Sequence, residues 1–262
     1  MQRITMHRGF RILILVTLVM GAALASPQVP GALAHAEFFR ITEVTVSGNS
    51  YLTRDEVIEG LRIPSGGNIW DDLKAMETRL GGHPLVHSAR VRRVLPGTLS
   101  VEVTERVPVA FVSTPVLAPI DKDGRILPID PARHRMDLPL LSRQRRAGAP
   151  GDAVVDSAQG MPLTPAQLRA LAIEIELLRE LDPDLLSTVS DAALDTRSDV
   201  VLRLSEPRVT VRYRPPMIPR RLQEGLEVLT DALQRDSVRQ PTTVDLRFAD
   251  QVVVEFSESR GP

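Results

Sequence analysis

Between Glu43 and Arg106 the chain switches twice between two kinds of apolar spacing. Val44 and Val46 stand two apart ahead of Gly48-Asn49, the mark of a short strand ended by a turn. Thr53-Arg54-Asp55-Glu56 is a capping box, so a helix is predicted through Val57, Ile58 and Leu61. Beyond Pro64-Ser65-Gly66-Gly67, the residues Ile69, Leu73, Met76 and Leu80 recur at spacings of four, three and four. That is one apolar stripe of a second helix, which Asn68 is placed to cap and Gly81-Gly82 to end. The period then returns to two. Ala89 and Val91 share a strand face with Arg90 and Arg92 opposite; after a turn at Pro96-Gly97, Leu99, Val101 and Val103 point inward while Ser100, Glu102 and Thr104 point outward. The predicted order is strand, helix, helix, strand, strand.

From Val107 the pattern changes to short apolar runs. PVAFV, VLAPID and GRILPID are separated by Thr114-Pro115 and Asp123-Gly124 and read as a meander of strands continuing from the first sheet. A loop rich in arginine, proline and glycine is expected from about Arg143 to Met161. Thr164-Pro165-Ala166-Gln167 is a second capping box, with proline at the first helical position where its missing N–H costs nothing. The helix it opens carries Leu168, Leu171, Ile175 and Leu178 on one face and ends before Pro183. Next comes a hairpin in which Val200, Leu202 and Leu204 face Val209, Val211 and Tyr213 across a turn at Glu206-Pro207. A helix with the stripe Leu222, Leu226, Leu229 and Leu233 precedes two last strands, TTVDLRF and QVVVEF.

The amino terminus is of another kind. Arg3, Arg8 and Arg11 precede the apolar run Ile12 to Ala25, the arrangement that holds the amino terminus in the cytoplasm and exports the rest of the chain. Fourteen helical residues cover roughly 21 Å of a ~30 Å hydrocarbon core. A membrane anchor over 12–34 reaches the needed length by admitting Ser26, Pro27, Gln28 and Pro30. A cleaved signal peptide is the alternative, since Ala23-Leu24-Ala25 and Ala32-Leu33-Ala34 both have the small-x-small form of a cleavage site.

Composition narrows the chemistry. The 262 residues carry a formal net charge of -1, which leaves no electrostatic footprint for nucleic acid. With no cysteine, thiolate metal sites, disulfides and cysteine nucleophiles are excluded. His83 and His87 are four apart, but Pro84 between them denies the helical geometry a zinc pair needs. No nucleophile elbow and no phosphate-cradling glycine loop is present. Asp71-Asp72 sits at a helix start, where carboxylates cap; Asp182 and Asp184 fall in a loop after a helix. No catalytic, metal-binding or cofactor-binding residue is assigned, and neither a cofactor nor a small-molecule substrate is expected. What remains is recognition by a sheet edge, where the last strand exposes backbone groups that a strand of another protein could pair with. In that strand Val252, Val254 and Phe256 are expected to face the core, and Val253 and Glu255 to face outward.

The stretch from Val44 to Val112 resembles the FtsQ-type POTRA domain. The resemblance lies in Val46-Ser47-Gly48-Asn49, in PLVHSARVR from Pro84 to Arg92, in Pro96-Gly97-Thr98-Leu99, and in Val103-Thr104-Glu105-Arg106-Val107-Pro108. It extends more loosely through Val244-Asp245-Leu246-Arg247-Phe248 to the final strand, and is to the FtsQ/DivIB family of cell division proteins. The chain departs from that family at Ala249-Asp250-Gln251, where a glycine is frequent, and at Tyr213-Arg214, where Leu-Gly is frequent. The resemblance implies an α+β chain: a cytoplasmic tail over 1–11, the membrane segment over 12–34, a βααββ POTRA domain over 38–106, a β-rich domain over 107–256 with helices packed on an antiparallel sheet, and a tail over 257–262. It also implies a single-pass inner-membrane scaffold with its carboxy-terminal domains in the periplasm. Its partners would be divisome proteins resembling FtsB and FtsL, bound by β-strand addition, and its work would be to link and regulate septal peptidoglycan synthesis. Carried onto this chain, the partner-binding residues are Arg247, Phe248, Asp250, Gln251, Val253 and Phe256. The alternative is a POTRA protein of the outer-membrane assembly or secretion type. Such proteins lead into a long barrel, whereas the residues after 106 include two amphipathic helices foreign to a row of spanning strands.

Overall fold

The computed structural model describes residue 13 and residues 15–21, 37–113, 116–143, 163–235 and 239–257. The chain forms two compact units, Met1–Glu105 and Arg106–Pro262. Most of the expected membrane segment over 12–34, the tail over 1–11 and most of the loop from about Arg143 to Met161 lie outside the described residues. No helix among the described residues is long and apolar enough to cross a membrane.

The first unit has the order read from its periodicity: β1 (Glu43–Ser47), α1 (Arg54–Leu61), α2 (Leu73–Gly81), β2 (Val86–Val94) and β3 (Thr98–Glu105). β3 is the middle strand, parallel to β1 and antiparallel to β2. Its inward residues Leu99, Val101 and Val103 are buried together with Val57, Leu61, Met76 and Leu80 of the helices. Each such side chain contributes about 1.5–3 kcal/mol by leaving water. Thr53 and Glu56 form the predicted capping box on α1. Gly48, at φ +79, lets the turn after β1 pass so close to the Val103 carbonyl that a Cβ would overlap it.

One cap differs from expectation. Asp72, not Asn68, caps α2, accepting from the Ala75 N–H at 3.1 Å. Asn68 is a turn earlier, where its side chain accepts from the Trp70 N–H and its own N–H donates to Asp71. Ile69 is therefore buried ahead of the helix rather than within it.

The second unit is built on a sheet of its own, and its strands do not continue the first sheet. Its strands are β4 (Ala110–Ser113), β5 (Leu117–Ile120), β6 (Leu140–Arg143), β7 (Val189–Leu194), β8 (Val200–Leu204), β9 (Thr210–Tyr213), β10 (Pro241–Asp245) and β11 (Val253–Phe256), in the order β11-β10-β9-β8-β7-β6-β4-β5. Helices α3 (Pro165–Leu181) and α4 (Pro183–Thr188) lie between β6 and β7 in the chain, and α5 (Pro219–Arg235) between β9 and β10. The sheet is mixed rather than antiparallel: β4 with β6, β6 with β7 and β9 with β10 are parallel. The last two pairs follow from the helices, because a helical crossover returns the chain to the end where it started. The expected three-strand meander reduces to the β4–β5 hairpin, and GRILPID adds only an Ile120–Ile126 bridge.

The β8–β9 hairpin has the predicted facing, with Val200 opposite Tyr213 and Leu202 opposite Val211. Those residues, with Ala192, Leu194 and Val244, form the sheet face packed with Leu171, Ile175 and Leu178 of α3 and Leu222 and Leu229 of α5. The other residues of these strands are largely charged or polar, among them Asp191, Arg203, Thr210, Arg212, Thr243 and Asp245. Arg203 pairs with Asp191 there at 2.6 Å.

Candidate partner-binding edge

An eight-stranded open sheet has two borders, and the two differ here. At β5 the same chain covers the later part of the outer side: Leu127 N–H donates to the Pro119 carbonyl at 2.8 Å, and just past the strand Asp121 N–H donates to the Arg125 carbonyl at 3.0 Å. At β11 the paired neighbour among the described residues is β10. Among the described residues, no strand lies on its other side.

The backbone groups that face outward can be named. Ser257 N–H donates to the Gln240 carbonyl at 2.9 Å and the Thr242 hydroxyl to the Glu255 carbonyl at 3.1 Å, so residues 255 and 257 turn their polar groups toward β10. Because these groups alternate along a strand, Val254 and Phe256 turn their N–H and C=O outward. Among the described residues no strand pairs with these outward groups.

Two clamps hold the turn that leads into the edge. From α5, the Arg221 guanidinium donates to the carbonyls of Phe248 at 2.7 Å and Gln251 at 2.8 Å, while Glu224 holds its other nitrogen. α5 can sit this close to β10 and its exit because residue 225 is glycine; a Cβ there would meet the Leu246 side chain at 2.6 Å. The second clamp is Arg247, which binds Asp245 through two nitrogens and Asp199 at 3.2 Å. Burial opposes ionisation of Asp245, but hydrogen bonds from the Arg247 side chain and backbone, with Arg212 nearby, outweigh it and hold the carboxyl below the usual aspartate range. Its hydrogen bond to Asp245, against the cost of burial, raises Arg247 in turn, and Asp199 adds to this.

The six residues singled out from the sequence therefore play different parts. Arg247 is engaged within the chain, bracing the end of β10. Phe248 and Phe256 are exposed, at 46% and 42%, and Asp250 and Gln251 are exposed in the turn. Val253 is half-buried opposite Asp245. Val252 and Val254 pack on the core as expected, but Phe256 does not. The register slips between Pro241 and Thr243, and Phe256 pairs with Pro241 at the last rung of the sheet, where little remains to cover its ring. Reading the sequence did not find Arg221, which nothing separates from its neighbour Arg220 until the helix is placed, or Asp199. The signal that could have found the Asp245–Arg247 pair is two opposite charges two apart in the predicted strand TTVDLRF.

The histidines are not brought together as a helical pair. α2 ends before both, and His83 Nδ1 accepts from the Leu85 N–H at 3.2 Å. Among the described residues, no group of three or more histidine and carboxylate side chains is placed to hold a metal ion.

Comparison with known proteins gives the family. Residues 39–106 match the family described as POTRA domain, FtsQ-type, and residues 110–247, more than half the chain, match Cell division protein FtsQ/DivIB, C-terminal. The chain belongs to the FtsQ/DivIB family of cell division proteins. Relatives named Cell division protein FtsQ include one from Syntrophotalea carbinolica, 28% identical over 171 residues covering 64% of this chain and 57% of the relative. One from Myxococcus fulvus is 30% identical over 165 residues, 61% of this chain and 54% of the relative. One from Geotalea daltonii is 24% identical over 224 residues, 85% and 78%. The chain thus spans a little over half the length of the first two. The FtsQ/DivIB match ends at Arg247, so β11 and the turn before it lie beyond the matched stretch.

Proposed function

We propose that this member of the FtsQ/DivIB family is a non-enzymatic scaffold of cell division that captures an extended segment of a divisome partner along the outer side of β11. The observation that carries this reading is the row at Val254 and Phe256 that no strand among the described residues pairs with, whereas the same chain covers part of the border at β5. A strand added there gains main-chain hydrogen bonds, and the exposed rings of Phe248 and Phe256 offer apolar contacts for its side chains. The partners are proteins resembling FtsB and FtsL. Arg247 and Arg221 act by holding the turn in shape, while Phe248, Asp250, Gln251, Val253 and Phe256 form or flank the contact. The chain is held in the inner membrane by a single amino-terminal segment with both folded units outside the cytoplasm, and through its partners it helps link and regulate septal peptidoglycan synthesis. No cofactor or small-molecule substrate enters this work.

The test is photocrosslinking from Gln251 and Val253 in dividing cells, with identification of the captured protein. An FtsB-like or FtsL-like partner is expected. Phe248→Lys should abolish pull-down of that partner while leaving the fold intact, and undiminished binding would remove the site from this edge.

A further inference from the structure

Among the described residues from 37 to 105, the large apolar side chains that are exposed lie at one end of the first sheet. They are Phe38 at 72%, Val94 at 48% and Leu95 at 63%. Val94 and Leu95 form the tip between β2 and β3. Phe38 is in the segment that leads into β1, and this segment is fastened to the same tip: Thr42 N–H donates to the Gly97 carbonyl at 2.9 Å. β1 and β3 are parallel and start together, with Glu43 beside Thr98, so this is the end at which the chain enters the sheet. It leaves from the opposite end, at Glu105.

The basic groups at the entry end are arginines. Arg40 and Arg92 are exposed and pair in water with the exposed carboxylates of Glu37 at 3.5 Å and Glu102 at 3.7 Å, while Arg93 lies 5.5 Å from the centre of the Trp70 ring and donates to the Asp71 carbonyl at 3.1 Å. Phe39 joins Phe38 to Trp70 through two edge-on ring contacts, at 5.1 and 5.8 Å. Exposed aromatic and aliphatic side chains among arginines suit a lipid headgroup layer, where rings partition and guanidinium groups meet phosphate. Chain length names the occupant. Four residue steps separate Ala34 from Phe38, roughly 14 Å when fully extended. A segment that leaves the hydrocarbon at Ala34 must therefore keep Phe38 within or beside the headgroup layer, which adds roughly 5–8 Å on each side of the core.

We propose that the entry end of the first unit rests on the outer face of the same bilayer that holds the amino-terminal segment, with Phe38 and Leu95 in the headgroup layer. This rests on the reading of 12–34 as a membrane segment. The contact orients the unit on the membrane, which the tether alone does not do.

The chain has no cysteine and one tryptophan, Trp70, so two clean probes are available. The full chain is reconstituted in phosphatidylethanolamine and phosphatidylglycerol vesicles containing doxyl-labelled lipid. An environment-sensitive dye on Leu95→Cys should shift to the blue and be quenched severalfold more than the same dye on Ser47→Cys, at the far end of β1. In the otherwise unmodified chain, shallow doxyl lipid should quench Trp70, and Phe38→Asp with Leu95→Asp should remove most of that quenching. Equal, weak quenching at both dye positions overturns the inference. So does a Leu95→Cys dye shielded from aqueous iodide but not quenched by lipid, which would mean that protein covers this end. Carbonate extraction of the same vesicles separates the two readings: an embedded chain with an unquenched dye defeats only this contact, whereas a released chain defeats the anchor and the contact with it.

Discussion

The Arg221 guanidinium donates to the main-chain carbonyl of Phe248 at 2.7 Å, so a helix on one side of the sheet sets the path of the turn that delivers its last strand. The same group holds the Gln251 carbonyl, and a turn with two of its carbonyls fixed presents β11 in one register. Arg221→Met keeps much of the apolar stem and removes both donors. Hydrogen bonds from a charged group are worth about 1.5–3 kcal/mol each, so the hairpin should open locally more often. Amide exchange of Val253 and Glu255, whose N–H groups face β10, should quicken by at least about tenfold, that is ~1.4 kcal/mol, while β7 and β8 stay protected. Unchanged exchange would mean that the ladder with β10 holds the strand without help.

Strand direction gives a sharper test of the edge. Val254 turns its N–H outward and Val253 turns its N–H toward β10. Proline lacks that donor, so Val254→Pro removes a group only a partner strand would use, and Val253→Pro removes one that the hairpin itself uses. The expected result is that Val254→Pro loses partner binding while its melting temperature matches that of Val254→Ala, which gives up the same packing on the core, whereas Val253→Pro falls well below Val253→Ala. If Val254→Pro binds normally, the partner docks by side chains alone.

How much of this was visible in the residues depended on how local the signals were. Both capping boxes, the βααββ order and the facing of Val200, Leu202, Val211 and Tyr213 depend on neighbours within a few positions, and each is found in the fold. The misses depend on distant contacts. β7 reads VSDAAL, whose alanines are too small to give an alternating signal, yet Ala192 and Ala193 are fully buried in the middle of the sheet. β6 is four residues long and takes its place only through β4 and β7 on either side. The exposure of Phe256 depends on the slip in β10, which no pattern within β11 reveals. At the edge itself, the aromatic residues were readable, whereas the outward Val254 and Phe256 backbone groups and the Arg221 clamp required the register.

Glu105 offers a test of the first unit. Its carboxylate accepts from the N–H groups of Ser50, Tyr51 and Leu52 at 2.9, 2.8 and 2.8 Å, tying the end of β3 to the turn before α1. Glu105→Ala leaves all three donors without this acceptor. The partly buried ones then cost about 1–3 kcal/mol each where water cannot reach them. Urea unfolding of the first unit should show a loss of about 2–4 kcal/mol. Glu105→Gln, which keeps one acceptor oxygen, should fall between. A loss below ~0.5 kcal/mol for Glu105→Ala would show that water substitutes freely at this turn.

The Asp245–Arg247–Asp199 clamp predicts a dependence on pH. Both carboxylates are buried, and removing the cation between them takes away the hydrogen-bonding partner of Asp245 and leaves Asp199 only its 3.8 Å pair with the exposed Arg214, so Arg247→Met should destabilise the second unit by about 3 kcal/mol at neutral pH. Asp245 has a lower pKa folded than unfolded. Its ionised form therefore favours the native state fully above the unfolded value of about 3.9, and this contribution fades as pH falls through the lower folded value. Asp245→Asn lacks the titration. The stability difference between the natural chain and Asp245→Asn, read from urea midpoints, should be constant from neutral pH down to about pH 5 and then shrink toward lower pH. A difference that grew on acidification would reverse the sign and show that burial, not Arg247, governs this carboxyl.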